Sequence, residues 1–261
     1  MIYQMNKFKK INLKKNKSKI ICLTAYSKNF AEEIDKYSDL ILVGDSLGSV
    51  LYNYKTTRKV TLSMMIEHSK SVRQGISKSL MIVDMPYNTY NTKSKALKNC
   101  KRVMSETKCD GVKLEGGIKL KNIIKHLIKN KIPVLGHLGI MPQTTRGKFK
   151  SKGKSVNEKK ELMRDAKILE NVGVFGIVLE CVETSLSKAI TKEIKIPTIG
   201  IGSSNYCDGQ ILVTDDILGL TDSKAKFIKK FINIKTYIRK GIKSFRSQVL
   251  NNKYPSKKYS Y

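Results

Sequence analysis

Eight short apolar runs alternate with longer amphipathic stretches along this 261-residue chain, and no other feature limits its fold so strongly. The runs have the length of buried strands, and the stretches between them have the periodicity of helices that cover a sheet. Eight such units in a chain of this length predict a parallel (β/α)8 TIM barrel rather than an open doubly wound sheet. The predicted strands cover residues 20–24, 39–44, 80–84, 111–115, 133–136, 175–180, 197–201 and 211–213.

The segments between the strands predict helices, and nothing in the sequence divides the chain into separate domains. We therefore predict a single barrel domain over residues 1–261, with a basic N-terminal segment at 1–19 and a C-terminal helical tail from about 223 to 261. One long polar connection, residues 138–157, interrupts the pattern. Loops of that length in compact domains are usually functional or mobile. The predicted helices cover residues 27–37, 61–75, 92–107, 118–130, 158–172, 184–193 and about 223–250.

The net charge of +30 raises the alternative of a nucleic-acid-binding protein. Of the 51 basic residues, 44 are lysine and 7 are arginine, and the lysines are spread along the whole chain. Bidentate recognition of phosphate and bases favours arginine, and a binding footprint needs a localised patch. We expect no nucleic-acid partner.

Other bulk features indicate a cytoplasmic protein. No apolar run approaches the roughly 20 residues that cross a bilayer, and the N-terminus lacks the apolar region of a signal peptide. The five cysteines form no C-x-x-C pair, and the three histidines form no metal-binding motif. Any bound metal is therefore expected to be a hard ion held by oxygen atoms.

Four of the predicted strands end on a carboxylate: Asp45, Asp84, Glu115 and Glu180. In a parallel barrel the last residues of the strands meet at one face, where the active site lies. Several carboxylates in one cleft repel each other unless a cation neutralises them or one is protonated. The pattern predicts a divalent ion, and oxygen-only ligands favour Mg²⁺.

A lysine and a histidine accompany these acids. Lys113 lies two residues before Glu115 in one strand, so both side chains share a face, and a cation there could hold a substrate carboxylate or enolate oxygen. His137 follows the run PVLG and also points toward the predicted active-site face. A histidine at such a position can contact a ligand or serve only as a hydrogen-bonded structural residue.

An ordered set of segments resembles the ketopantoate hydroxymethyltransferase family, the 3-methyl-2-oxobutanoate hydroxymethyltransferases. The resemblance runs from about residue 20 to residue 232. The segments that carry it are CLTAYSKNFAEEID, ILVGDSLGSVLYNY, VTLSMMIEHSKSVRQG, VDMPY, VKLEGG, IPVLGHLGIMPQ, LECV, IPTIGIG and CDGQILVTDDILGL.

The resemblance implies a barrel of the phosphoenolpyruvate/pyruvate type, one Mg²⁺ per subunit and a homodecamer. It also implies a reaction, the first step of pantothenate biosynthesis. A hydroxymethyl group passes from 5,10-methylenetetrahydrofolate to 3-methyl-2-oxobutanoate through a Mg²⁺-stabilised enolate, and 2-dehydropantoate is formed.

Roles for individual residues follow from the same resemblance. Asp45 and Asp84 are similar to the direct Mg²⁺ ligands of the family, Glu115 is similar to the residue that completes its metal site, directly or through water, and Glu180 is similar to its catalytic base. Ser46, Lys113 and the two aspartates are similar to its substrate contacts. The resemblance assigns no residue to folate. The alternative enzyme is another Mg²⁺-dependent carbon–carbon lyase of the same barrel superfamily that acts on 2-oxo acids, since it would need the same groups.

Overall fold

The computed structural model describes residues 2–145 and 150–261, with side chains from Lys7 onward, and its centre is a closed barrel of eight parallel strands. The strands are β1 (Ile20–Thr24), β2 (Leu40–Val43), β3 (Leu80–Asp84), β4 (Gly111–Glu115), β5 (Val134–Gly139), β6 (Gly176–Glu180), β7 (Thr198–Ile201) and β8 (Gly209–Leu212). Each strand pairs with the next in the chain, and β8 pairs with β1. The predicted fold class is confirmed.

Helices alternate with the strands, and side-chain caps define where several of them begin. The helices are α1 (Ile2–Leu13), α2 (Lys28–Asp35), α3 (Leu47–Tyr52), α4 (Leu62–Arg73), α5 (Lys93–Thr107), α6 (Lys121–Lys129), α7 (Val156–Val172), α8 (Thr184–Glu193), α9 (Thr214–Ile217) and α10 (Ile234–Leu250). The hydroxyl groups of Thr61, Thr92 and Ser155 accept hydrogen bonds from backbone N–H groups in the first turns of α4, α5 and α7. Such caps satisfy donors that the first helical turn leaves free.

Alternation along the strands separates an inner face from an outer face. On β4, Val112 and Leu114 belong to the apolar layer between the barrel and its helices. Because successive side chains of a strand point to opposite faces, Lys113 and Glu115 point into the barrel. The shared face that the sequence predicts for these two residues is thus present in the structure.

The N-terminal segment, predicted only as a basic stretch, contains a helix. Apolar residues lie among the lysines of α1: Ile11 is buried in one cluster with Ile20, Leu40 and Leu80, which are the first residues of β1, β2 and β3. The helix therefore covers the N-terminal end of the barrel. The high lysine content obscures this amphipathic pattern in the sequence.

Several boundaries differ from the predicted ones. β5 extends to Gly139 instead of ending at 136, and the last strand is Gly209–Leu212 instead of 211–213. The connection predicted at 138–157 is correspondingly shorter, and residues 146–149 of it lie outside the described residues. The short helices α3 and α9 were not predicted, because four to six residues give too little periodicity to detect.

The chain forms two compact units, one ending at Val213 and the other covering Thr214–Tyr261. In the second unit, the N–H of Phe231 donates to the Ile217 carbonyl after α9, and α10 contains no buried residue. The predicted tail helix, placed near 223–250, begins only at Ile234. The assignment of one barrel domain to the whole chain stays a prediction. No helix of the described ranges is long and apolar enough to cross a membrane.

Candidate active site

The residues that the sequence predicts for the site meet at the C-terminal end of the barrel strands. Strand register places Asp84 beside Lys113, Glu115 beside His137 and Gly139 beside Glu180. The remaining two predicted residues, Asp45 and Ser46, lie in the turn after β2, separated from the strand by Gly44. Side chains from β2 through β6 thus contribute to one cleft.

Lys113 lies at the centre of this cluster and is 5% exposed. Its Nζ is 2.9 Å from Asp84 Oδ1 and 3.1 Å from His137 Nδ1. Burial acts to lower the pKa of Lys113, but Asp84, Glu115 and Asp45 outweigh it and raise that pKa above its ordinary value. Lys113 therefore stays charged, as a buried lysine among carboxylates should.

Burial and mutual repulsion disfavour the charged forms of Asp45 and Glu115. Burial, followed by repulsion from Asp84 and Glu115, raises the pKa of Asp45 to about 8. Burial also raises the pKa of Glu115, although His137 and Lys113 act in the opposite direction. One ammonium group does not compensate three buried carboxylates, so the cleft favours a further positive charge.

His137 lies between Lys113 and Glu180. Because the Lys113 ammonium can only donate, Nδ1 of His137 accepts, and the ring proton sits on Nε2. That Nε2 lies 3.3 Å from Glu180 Oε2, without the angles of a hydrogen bond. The Glu180 side chain is 16% exposed, whereas that of Glu115 is 2% exposed. Glu180 is thus the predicted acid that a substrate in the cleft reaches most readily.

Ser46 is positioned by the turn after β2. Its hydroxyl lies 2.8 Å from the Tyr26 hydroxyl. A Cβ atom on Gly44 would lie 2.8 Å from Ser46 Oγ, so glycine at this position leaves the Ser46 hydroxyl in place. The backbone N–H of Asp45 donates to Asp84 Oδ2 at 3.1 Å. The segment VGDS therefore joins two of the acids through its backbone.

Sequence reasoning missed Gln143 and Tyr90. Gln143 is 1% exposed, and its side chain donates to Asp45 Oδ2 at 2.9 Å. The Tyr90 hydroxyl donates to Gln143 Oε1 at 2.6 Å. The available signal was the glutamine that ends the segment IPVLGHLGIMPQ, at the start of the connection predicted to be functional.

The oxygen atoms of the three buried acids are suitable ligands for a hard cation. Asp45, Asp84 and Glu115 offer only oxygen atoms, the type of ligand that Mg²⁺ prefers. Asp84 Oδ1 is buried and accepts no hydrogen bond from any residue in the described ranges, although Lys113 lies nearby. In those same ranges, no group of three or more His, Cys, Asp and Glu side chains has the arrangement of a metal site. The metal ligands named from the sequence thus stay predictions.

Comparisons with known proteins show which family the chain belongs to. A family model described as ketopantoate hydroxymethyltransferase matches residues 4–257. The 3-methyl-2-oxobutanoate hydroxymethyltransferase of Pelagibacter ubique (strain HTCC1062) is 61% identical over 248 residues, which cover 95% of this chain and 96% of the relative. The enzyme of the same description from Anaplasma marginale (strain St. Maries) is 44% identical over 253 residues, covering 96% of this chain and 91% of the relative.

Solved structures with low sequence identity share the barrel. A phosphonopyruvate hydrolase solved with oxalate and Mg²⁺ superposes with a TM-score of 0.65 at 10% identity, covering 97% of this chain and 93% of the other. A 2,3-dimethylmalate lyase of the PEP mutase/isocitrate lyase superfamily gives 0.60 at 10% identity, covering 97% and 91%. At such identities the likeness concerns the fold alone. The family match and the two curated relatives place this chain in the ketopantoate hydroxymethyltransferase family, a family of transferase enzymes.

Proposed function

We propose that this chain transfers a hydroxymethyl group from 5,10-methylenetetrahydrofolate to 3-methyl-2-oxobutanoate and so forms 2-dehydropantoate, the first step of pantothenate biosynthesis. The observation that supports this most is the position of Glu180, a partly exposed carboxylate beside a buried cluster of three acids and Lys113. Such a site has a base, fixed positive charge and oxygen donors within one cleft, which is what proton removal next to a carbonyl group requires.

We assign one Mg²⁺ per subunit to Asp45, Asp84 and Glu115. These residues are the ones whose mutual repulsion the single lysine leaves uncompensated. A bound Mg²⁺ supplies Lewis-acid chemistry: it polarises the keto group of a 2-oxo acid and makes the neighbouring C3–H bond more acidic.

Lys113 and Ser46 are assigned to the substrate. The Lys113 ammonium is buried, charged and held in place by Asp84 and His137, so little reorganisation is needed when negative charge develops on a substrate oxygen. The Ser46 hydroxyl, fixed by Tyr26, can donate to the substrate carboxylate. Together they orient the 2-oxo acid with its C3 toward Glu180.

Glu180 is assigned as the base that removes the C3 proton. Its Oε2 lies 3.3 Å from His137 Nε2, and His137 is itself held by Lys113 through Nδ1 at 3.1 Å, so Glu180 lies next to the residues assigned to the substrate. After proton removal, C3 forms a bond to the methylene carbon of the folate, and one water gives its oxygen to the same carbon as the hydroxyl group. Both C–N bonds of that carbon break, and the C3 proton and one water proton go to the two folate nitrogens, so that tetrahydrofolate leaves.

The test is formation of 2-dehydropantoate from both substrates in the presence of Mg²⁺. We expect turnover with the parent chain, and a loss of about 10²- to 10⁴-fold with Glu180→Gln, as for removal of a general base. EDTA should abolish turnover. Glu193→Gln is the matched control, since Glu193 lies on α8, is half-exposed and pairs with the exposed Lys167.

Two outcomes would contradict the proposal. Folded parent protein that forms no product with any divalent ion would refute the reaction. Cleavage or isomerisation of the 2-oxo acid without folate would instead favour the carbon–carbon lyase alternative. The cytoplasmic location predicted from the sequence and the homodecamer implied by the family resemblance both stay predictions.

A further inference from the structure

Gln143 contacts two of the three acids assigned to the metal. Its side-chain Nε2 donates to Asp45 Oδ2 at 2.9 Å, and its backbone N–H donates to Glu115 Oε2 at 3.1 Å. One buried residue therefore fixes one oxygen of each carboxylate. The other oxygen of each, Oδ1 of Asp45 and Oε1 of Glu115, is not used by Gln143.

The orientation of the Gln143 amide is itself fixed by neighbours. Its Nε2 donates a second hydrogen bond to the Met85 carbonyl at 2.9 Å, and its Oε1 accepts from the Tyr90 hydroxyl at 2.6 Å. Burial raises the pKa of Tyr90, so this hydroxyl keeps its proton and remains a donor. With both ends of the amide paired, a flipped orientation would place donors against the Tyr90 hydroxyl and an acceptor against Asp45.

Arg58 fixes the backbone at Gln143 and the two residues after it. It comes from the short helical turn Thr57–Lys59, between α3 and α4. Its Nε donates to the Gln143 carbonyl at 2.8 Å, and its Nη2 donates to the carbonyls of Thr144 and Thr145 at 3.2 and 3.3 Å. Connections that follow β2, β3 and β5 thus meet at one residue.

We propose that Gln143 is a positioning residue that orients Asp45 and Glu115 for a divalent cation. This inference rests on the proposed function, because it assumes that these two carboxylates are metal ligands. Hydrogen-bond partners behind metal ligands fix ligand orientation, and their loss typically weakens metal binding by about 10- to 100-fold. Tyr90 acts through Gln143, because its hydroxyl donates to the Gln143 amide oxygen and not to either carboxylate.

The experiment measures the Kd of Mn²⁺ by electron paramagnetic resonance, with neither substrate present. Gln143→Met keeps the side-chain length, removes the side-chain donors to Asp45 and Met85, and leaves the backbone N–H to Glu115 in place. We expect its Kd to rise by about 10- to 100-fold, through the loss of the Asp45 contact. Asn130→Ala is the matched control. Asn130 also donates an amide hydrogen bond to a backbone carbonyl, that of His126, at 2.9 Å, but it lies at the C-terminal end of α6. Its Kd should equal that of the parent.

Two further measurements separate positioning from a general structural effect. Tyr90→Phe should raise the Kd less than Gln143→Met does, and the double variant should bind like Gln143→Met alone, because Tyr90 acts through the amide. In turnover, Gln143→Met should need more Mg²⁺ for half-maximal activity and should recover most of its kcat at saturating Mg²⁺. Thermal unfolding in EDTA reports any loss of stability separately.

An unchanged Mn²⁺ affinity in folded Gln143→Met, with lowered thermal stability only, would overturn the inference. Additive effects of Tyr90→Phe and Gln143→Met on the Kd would overturn the role of Tyr90. If the parent binds Mn²⁺ and Gln143→Met weakens it while no 2-dehydropantoate is formed, this inference is supported and the proposed reaction is refuted. A parent that binds no Mn²⁺ would overturn the inference together with the metal assignment.

Discussion

Replacing Asp45 with asparagine should stabilise the metal-free protein at alkaline pH. Asp45 is buried near two other carboxylates, and its pKa in the folded chain is about 8 against an ordinary value of 3.8. Between these two pH values the folded chain binds more protons than the unfolded chain, so the stability of the parent falls as pH rises through this window. The amide in Asp45→Asn has no charge to gain, so this loss is absent.

The size of the effect follows from the same interval. From 3.8 to about 8, at 1.36 kcal/mol per pH unit, the full difference is roughly 6 kcal/mol. Water entering a metal-free cleft screens the repulsion, so we expect about 2 kcal/mol at pH 8.5. That corresponds to a rise in Tm of roughly 4–8 °C for a chain of this size. At pH 5.5 the difference should be much smaller.

The assay is urea unfolding in EDTA at pH 5.5 and 8.5, followed by circular dichroism. Asp35→Asn is the matched control, because Asp35 and Asp45 are both 5% exposed but have opposite surroundings. Burial acts to raise the pKa of Asp35, but hydrogen bonds from Ser79 and its neighbours outweigh it and lower that pKa to about 2. Asp35→Asn should therefore lose about 1.5–3 kcal/mol at pH 8.5. If the Asp45→Asn variant is no more stable than the parent at pH 8.5, the argument is refuted.

Three further variants test separate parts of the structure. Glu180→Gln should slow deuterium exchange at C3 of 3-methyl-2-oxobutanoate by at least about 10²-fold in proton NMR, and exchange at the parental rate would exclude Glu180 as the base. Gly139→Ala should lower stability by more than about 2 kcal/mol in urea, because a Cβ would lie 2.1 Å from the Glu180 carbonyl oxygen at a φ of +100°. Lys15→Met should cost about 3–5 kcal/mol, since it leaves the buried Asp208 carboxylate without the ammonium that lies 2.8 Å away, and a loss below about 1 kcal/mol would contradict this.

The barrel could be predicted because its determinants are local and repeated. Each strand is an apolar run, and the acids that end β3, β4 and β6 mark the face where the strands finish. The helix α1 could not be predicted in the same way. Its pattern is hidden by lysines, and one of them, Lys7, is buried with its ammonium donating to the Ser79 carbonyl. The composition of this segment indicates a solvated stretch, whereas its contacts with the barrel stabilise a helix.

The acids of the site could be predicted from the sequence, but the residues that orient these acids could not. Strand ends identify Asp84 and Glu115 from their positions alone, and strand alternation identifies Lys113. Gln143 gives no such signal, because the partners of its side chain and carbonyl group come from the connections after β2 and β3, whereas Gln143 follows β5, and its role exists only once the three connections meet. The division of the four acids into base and metal ligands likewise rests on the family resemblance, since strand-end position is the same for all.

The most direct test of the central claim follows the transferred carbon. 5,10-Methylenetetrahydrofolate labelled with ¹³C in its one-carbon unit is incubated with 3-methyl-2-oxobutanoate, Mg²⁺ and the parent chain, and ¹³C NMR records where the label goes. We predict that the label appears in the hydroxymethyl group of 2-dehydropantoate and that tetrahydrofolate accumulates in equal amount. Label that stays in the folate, with the 2-oxo acid unchanged or cleaved, would contradict the proposed function.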